Sequence, residues 1–293
     1  MPYLYLACAI CFSAALSILG TLYNNKNAQR PNVSRLYSLM TSCSVFVSWL
    51  VIYIFDFSFD PGVIVYSLAY GVFYTMAMLG LINALNTGSV SLTAFIKQLS
   101  LACVAFWGFF FWNTPFTFNV AIGLILIVIA LALCLFTGDK KQAEKSSARI
   151  TWKWALYALM LLVGNAGCSI MQKYQQAAFD GQHGTMMMVF ATFFAIVISL
   201  IVALKEDKTY WKEAIKASWR FPAAAGLSSA LTNRFILLLI STPLSASLVY
   251  PGIAVGGLML TVLVSVVVCN EKLRRQQWIG LAVGAVALVF LNL

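Results

Sequence analysis

Runs of about 20 apolar residues follow one another along almost the whole of this 293-residue chain, broken only by short polar stretches. A helix rising 1.5 Å per residue needs about 20 residues to cross roughly 30 Å of hydrocarbon, so each run has the length of one membrane crossing. Composition leaves no room for a water-soluble alternative. Hydrophobic residues make up 61% of the chain and charged residues 10%, against about 25% charged in a soluble domain. The chain reads as an all-α integral membrane protein.

Ten spans are expected: Tyr3–Tyr23, Tyr37–Phe55, Val63–Leu85, Ser89–Trp112, Thr117–Phe136, Trp152–Lys173, Thr185–Leu204, Phe221–Ile240, Leu244–Val268 and Gln276–Leu293. The connections Asn86–Gly88, Asn113–Phe116 and Ser241–Pro243 are short enough to force antiparallel hairpins. Gly138–Lys153 (GDKKQAEKSSARITWK) is the long charged stretch near the middle. It divides the chain into a first five-helix repeat (1–137), a linker (138–151) and a second repeat (152–293). Ile122-Gly123-Leu124 matches Ile279-Gly280-Leu281 at an offset of 157, as do Asn113 with Asn270, Ala130 with Ala287 and Leu131 with Leu288. Thr87 meets Thr242 after a two-residue adjustment. Five is odd, so the second copy enters the membrane inverted, the arrangement by which two halves rock about a central site.

The net charge of +10 is not a nucleic-acid signature here, because the basic residues sit in short loops. Sixteen of the 19 Lys and Arg fall on one side, in the connections after spans 1, 5, 7 and 9; Lys173 is alone on the other, and Lys97 and Arg234 lie within spans. The asymmetry places the basic side in the cytoplasm and both termini outside, in the plasma (inner) membrane. Trp152, Trp154 and Trp278 fall at the inner interface, Trp107 and Trp112 toward the outer one. The segment Lys205–Arg220 is charged and aromatic and is expected to lie along the inner surface. The Asn32–Ser34 sequon sits on that inner side and is silent, and the first span lacks the basic flank of a cleavable leader. Six of the seven cysteines, Cys8, Cys11, Cys43, Cys103, Cys134 and Cys168, lie inside apolar runs and Cys269 at a run's end; all read as small packing residues.

Polar stripes single out the cavity wall. Span 1 carries Ser13, Ser17 and Thr21; span 3 carries Tyr66, Tyr70 and Tyr74; span 4 carries Ser89, Thr93, Lys97 and Ser100. Span 6 carries Asn165, Ser169 and Gln172, with Gln176 beyond its expected end. Span 8 carries Ser229, Asn233 and Arg234, and span 9 carries Ser247 and Tyr250 before a Pro251-Gly252 break. Spans 5 and 10 lack such stripes and are assigned to the periphery, where they form a candidate homodimer contact. Gly252–Gly256 and Gly280–Gly284 are spaced for close helix packing.

These features, with the ending Asn270-Glu271-Lys272-Leu273 and Trp278-Ile279-Gly280-Leu281, resemble the EamA-type branch of the drug/metabolite transporter superfamily. Glu271 and Gly280 fit that family's pattern after span 9; Asn270 stands where glycine is usual, and Asn113-Thr114-Pro115 in the first half has no glutamate. The resemblance implies a central cavity lined by spans 1, 3, 4, 6, 8 and 9, in agreement with the stripes.

Lys97 lies nine residues into span 4, about 13 Å deep, and Arg234 about six residues from the outer end of span 8. A mid-membrane cation costs at least ~2.5–3.5 kcal/mol, so such residues face a wet cavity and serve a function. The nine acidic residues fall in loops or at span ends, which argues against a proton-coupled exporter of cationic drugs. Two cations within spans point instead to a carboxylate or phosphate on the substrate. The candidate binding residues are Lys97, Arg234, Tyr70, Tyr74, Thr93, Asn165, Ser169, Asn233 and Tyr250. His183 reads as a solvated loop histidine. No catalytic pair, metal cluster or phosphate loop is present in the sequence, so neither an enzyme nor a cofactor is expected. The expected function is secondary transport of a small anionic or zwitterionic metabolite, the partners being that solute and the bilayer. The alternatives are a non-transporting protein or translocator that binds an anionic lipid headgroup, and a carrier that holds quaternary amines in a tyrosine cage.

Overall fold

The computed structural model describes residues 2–27, 30, 33–87, 90–112, 117–135, 152–204, 208–242, 249, 252–253, 255–257, 259–260 and 275–292. Among them there is no strand. The helices are α1 (Pro2–Lys26), α2 (Ser34–Phe55), α3 (Val63–Thr87), α4 (Val90–Phe111), α5 (Phe118–Leu135), α6 (Trp152–Ala178), α7 (Gly184–Leu204), a short α8 (Trp211–Ser218), α9 (Arg220–Ile240) and α10 (Arg275–Asn292). By length and apolar composition α1, α2, α3, α6, α7 and α9 can each cross a membrane. Span 9 of the sequence reading falls largely outside the described residues; those it contributes between 249 and 260 are helical. The linker 138–151 also lies outside them.

The surface is greasy where a soluble protein would be charged. Phe55 is 87% exposed, and Phe110 and Phe118 are each 79% exposed. Such rings belong against lipid, and the protein is a multi-pass membrane protein.

With no hydrophobic drive between helices in lipid, close packing falls to small residues. α3 packs most extensively on α6, and glycines make that contact possible. A Cβ on Gly80 would stand 2.5 Å from the Leu161 nitrogen and 2.8 Å from the Tyr157 oxygen; one on Gly164 would stand 2.5 Å from the Ala77 nitrogen and 2.7 Å from the Phe73 oxygen. The obstacles are backbone atoms, which no rotamer change can clear. Gly164→Ala therefore pushes the two helices apart, and overpacking of this kind costs about 1–3 kcal/mol. The expected result is a lower melting temperature in detergent for Gly164→Ala, and no such drop for alanine at Leu159, which is 57% exposed.

Elsewhere α1 packs on α9, α3 on α7, α9 on α2, α4 on α6, and α5 on α10. The α1–α9 contact uses rings: Phe235 stacks on Phe12 at 6.0 Å and tilts against Tyr5. Gly71 of α3 presses on the Ala191 oxygen and Phe194 Cβ of α7; Gly226 of α9 presses on the Thr41 oxygen and Ser44 Cβ of α2. Gly256 meets Ile10 of α1. Cys8 and Cys11 are free thiols on α1.

α6 runs five residues further than the expected Lys173 and ends ahead of two successive left-handed residues, Asp180 (φ +49°) and Gly181. At Gly181 φ is +80°, and the Gly181 N–H closes the helix on the Gln176 oxygen at 2.8 Å. Gln176 is thus on the helix rather than beyond it. His183, expected in solvent, is half-buried instead, with its ring edge-on to Phe179 at 5.9 Å.

Candidate functional site

One face of α6 carries Asn165, Ser169, Gln172 and Gln176, spaced so that all four project the same way. The residues after Asn165 on this face are buried. The face touches different helices at different depths. At its lower level the Asn165 Nδ2 donates to Ser100 Oγ of α4 at 2.6 Å and to the Lys97 carbonyl at 3.4 Å; Ser100 Oγ in turn donates to the Lys97 carbonyl at 2.6 Å. The backbone of α4 at Lys97 is thereby pinned to α6. The Lys97 side chain is half-buried, and its ammonium has neither a carboxylate nor a hydrogen-bond acceptor as partner among the described residues. Ser169 hydroxyl leans back to the Asn165 carbonyl at 3.5 Å.

Two turns along, about 10 Å further, Gln172 reaches a second polar junction. Its Nε2 donates to Asn233 Oδ1 of α9 at 3.0 Å, the Tyr70 hydroxyl of α3 donates to the same oxygen at 3.3 Å, and Asn233 Nδ2 donates to the Ser229 carbonyl at 2.9 Å. Asn233 is therefore a hub joining α3, α6 and α9. Tyr70 and Tyr74 are buried and stack nearly parallel at 6.2 Å. The Ser38 hydroxyl of α2 is buried without a hydrogen-bond partner among the described residues, while the Tyr74 hydroxyl faces Ser42 of α2 and Ser229 of α9. Beyond the hub, Trp107 Nε1 of α4 donates to the Tyr174 hydroxyl of α6 at 3.2 Å, Met188 Sδ of α7 lies 3.7 Å from Gln172 Nε2, and Met186 and Met187 are buried in the same apolar cluster as Met188.

Arg234 points away from this interior, toward the end of the bundle opposite the basic loops. Its Nη1 lies 3.3 Å from Asp56 Oδ2 at the end of α2 and donates to Thr185 Oγ1 of α7 at 3.0 Å; the Thr185 hydroxyl donates to Asp56 Oδ2 at 2.6 Å. The sequence reading set Arg234 beside Lys97 as a second cation for the substrate. The structure gives it a carboxylate of its own, because α2 ends where the seventh-from-last residue of α9 arrives. Asp56 could have been found from topology, since the ends of spans 2 and 8 lie on the same side. The Thr93 side chain and Tyr250 lie outside the described residues. Gln172 and Ser100 were visible as stripe members, but their importance comes from which helix each one meets.

Tyrosines do not box a cation among the described residues. Tyr66 sets its ring edge-on against Phe179 at 6.0 Å, while Tyr70 and Tyr74 lie in one stack. No group of three metal-binding side chains occurs among the described residues.

No curated protein matches the chain. A solved crystal structure, described only as that of a protein, matches with a TM-score of 0.74 at 11% identity, covering 99% of this chain and 95% of its own; likeness at that identity is one of fold. Residues 1–136 match the EamA-like transporter family. Together with the apolar helices and the polar interior, that match over the first 136 of 293 residues supports membership of the drug/metabolite transporter superfamily.

Proposed function

We propose that the protein is a secondary transporter that carries a small anionic or zwitterionic metabolite by alternating access. The observation that carries this is Lys97: a lysine deep in a membrane helix whose ammonium has no protein anion beside it among the described residues. Leaving a cation so placed is unfavourable, and a carboxylate or phosphate on the substrate supplies the missing charge. Asn165 adds an amide at the same level, and the amides of Gln172 and Asn233 lie about 10 Å further along α6. The Ser38 hydroxyl, unpartnered among the described residues, adds unused bonding capacity.

The inverted repeat belongs to the same reading, and packing supports it. Gly71 and Gly226 are 155 residues apart, and the atoms they press on, Thr41 O with Ala191 O and Ser44 Cβ with Phe194 Cβ, are each 150 apart. The third helix of each half thus meets the second helix of the other half at the same place. Exchanging halves also turns the α3–α6 contact into α9–α1, and α3–α7 into α9–α2, while α2–α7 and α5–α10 map onto themselves. Two such halves can rock, exposing the Lys97 level to each side in turn. The Asp56–Thr185–Arg234 triangle joins the first half to the second at one mouth and closes it.

The test is a thermal-shift screen of the purified protein with carboxylates, phosphate esters, amino acids and quaternary amines. A ligand that binds the folded protein stabilises it by RT ln(1 + [L]/Kd). Anionic or zwitterionic hits, followed by their uptake into proteoliposomes, are the expected result. Response to quaternary amines alone would overturn the assignment.

A further inference from the structure

Helix α8 lies outside the bundle, and transport as described gives it no task. One edge is docked. Ala214 and Ser218, one turn apart, are buried, and Ala214 and Trp211 pack against Val33, Leu36 and Met40 at the start of α2. Asn27, just past α1, donates from Nδ2 to Ser218 Oγ at 3.0 Å and accepts from Arg30 Nη1 at 2.8 Å; Arg30 Nε lies 3.8 Å from Glu213 Oε2. Lys26 Nζ stands 5.7 Å over the Phe221 ring in the first turn of α9. The ends of α1 and α2 are therefore held by the α8–α9 corner.

The remaining circumference faces outward in a definite order. Stepping round at 100° per residue from the docked edge, Ile215 and Trp219 come first, 40% and 51% exposed. Lys212, Lys216 and Arg220 follow, each one turn from the next and all exposed. Lys208 extends the same spacing, its Nζ 5.9 Å over the Trp211 ring. Glu213, the acid of this helix, is turned toward Arg30. An apolar edge beside a cationic edge is what a helix lying in a membrane interface presents, with rings among the upper acyl chains and cations among the headgroups. A nucleic acid or an acidic protein would answer the cations but leave Ile215 and Trp219 in water.

The charge pattern points to a binding surface for anionic phospholipid: Lys212, Lys216 and Arg220 hold the headgroup phosphates, Trp219 and Ile215 enter the adjoining acyl layer, and headgroup capture presses α8 onto the ends of α1 and α2. The surface is independent of the transported solute, so it stands or falls apart from the Lys97 site. The purified full-length protein is titrated with phosphatidylglycerol in detergent micelles, with phosphatidylcholine and inorganic phosphate as controls. Each basic residue near an anionic surface contributes about fivefold in affinity, so Lys212→Gln/Lys216→Gln/Arg220→Gln is expected to weaken the phosphatidylglycerol midpoint about 100-fold, whereas Lys153→Gln leaves it unchanged. Brominated phosphatidylglycerol is expected to quench wild-type fluorescence more than that of Trp219→Phe. Ser218→Ala, which cuts the bond to Asn27, is expected to keep the midpoint but shrink the rise in melting temperature. A triple variant with the wild-type midpoint overturns the proposal. So does an equal response to phosphatidylcholine or to inorganic phosphate, or stabilisation by soluble polyglutamate without any Trp219 quenching. A full thermal effect in Ser218→Ala removes the link to α1.

Discussion

Lys97→Met makes the ligand-free protein more stable and removes its response to anions. The two effects have one cause. Lys97 sits in α4 with its ammonium unmatched among the described residues, and a charge at that depth costs at least ~2.5–3.5 kcal/mol. Methionine fills a similar volume at no such cost, so the melting temperature of the empty protein rises. The same substitution takes away the charge-assisted contact to a carboxylate or phosphate, which is worth about 1.5–3 kcal/mol and more where water is excluded. Affinity for an anionic hit from the thermal screen is therefore expected to fall by about 10- to 200-fold, with proteoliposome uptake falling alongside it. Lys97→Arg keeps the charge and retains part of the binding. A lysine whose role was structural would give the opposite sign: Lys97→Met would melt earlier and bind as before.

The architecture was legible because the membrane imposes few choices. Apolar runs of one bilayer thickness have to become helices, and the boundaries of α7, α9 and α10 fall within a residue or so of those read from the sequence. α6 departed from expectation at its end, since its length is set by the left-handed turn at Asp180 and Gly181 and not by a hydropathy change at Lys173. The site was less legible, and for a physical reason. Stripe membership tells which face of a helix is polar but not which neighbour receives it. Asn165 and Gln172 share one face of α6, yet one bonds to α4 and the other to α9. Arg234 shows the same limit more sharply. Its type and depth argued for a substrate anion, and only the relative position of α2 and α9 reveals Asp56 as its partner. A carboxylate assigned to a loop by its neighbours in sequence can still meet a cation assigned to a span. Among the described residues the apparent pair of free cations within spans thus reduces to Lys97, which concentrates the electrostatic case for an anionic substrate there.

Reversing the charge of Asp56 is expected to open the mouth that the proposed mechanism has Arg234 close. In the wild type the carboxylate takes the Thr185 hydroxyl and the Arg234 guanidinium together, tying α2 to α7 and α9. Its side chain is 54% exposed and that of Arg234 30%, so solvent screens the pair and its contribution is about 0.5–1 kcal/mol. Asp56→Arg removes that attraction and adds repulsion of similar size, about 1–2 kcal/mol in all. The ratio of open to closed forms rises by about 5- to 30-fold, at 1.4 kcal/mol per factor of ten. Cys168 can report the change. It is buried one turn along α6 from Gln172, its Sγ 3.9 Å from the Tyr70 carbonyl oxygen, so a membrane-impermeant maleimide reaches it only when the mouth opens. In a protein retaining Cys168 as its one cysteine, labelling of Asp56→Arg is expected to be faster by that factor. Asp56→Arg/Arg234→Asp restores the attraction with its poles exchanged, and labelling returns toward the wild-type rate. If the double variant labels as fast as the single one, the charges are not what holds the mouth shut. The methionine layer of Met186, Met187 and Met188 would then carry the closure by packing alone.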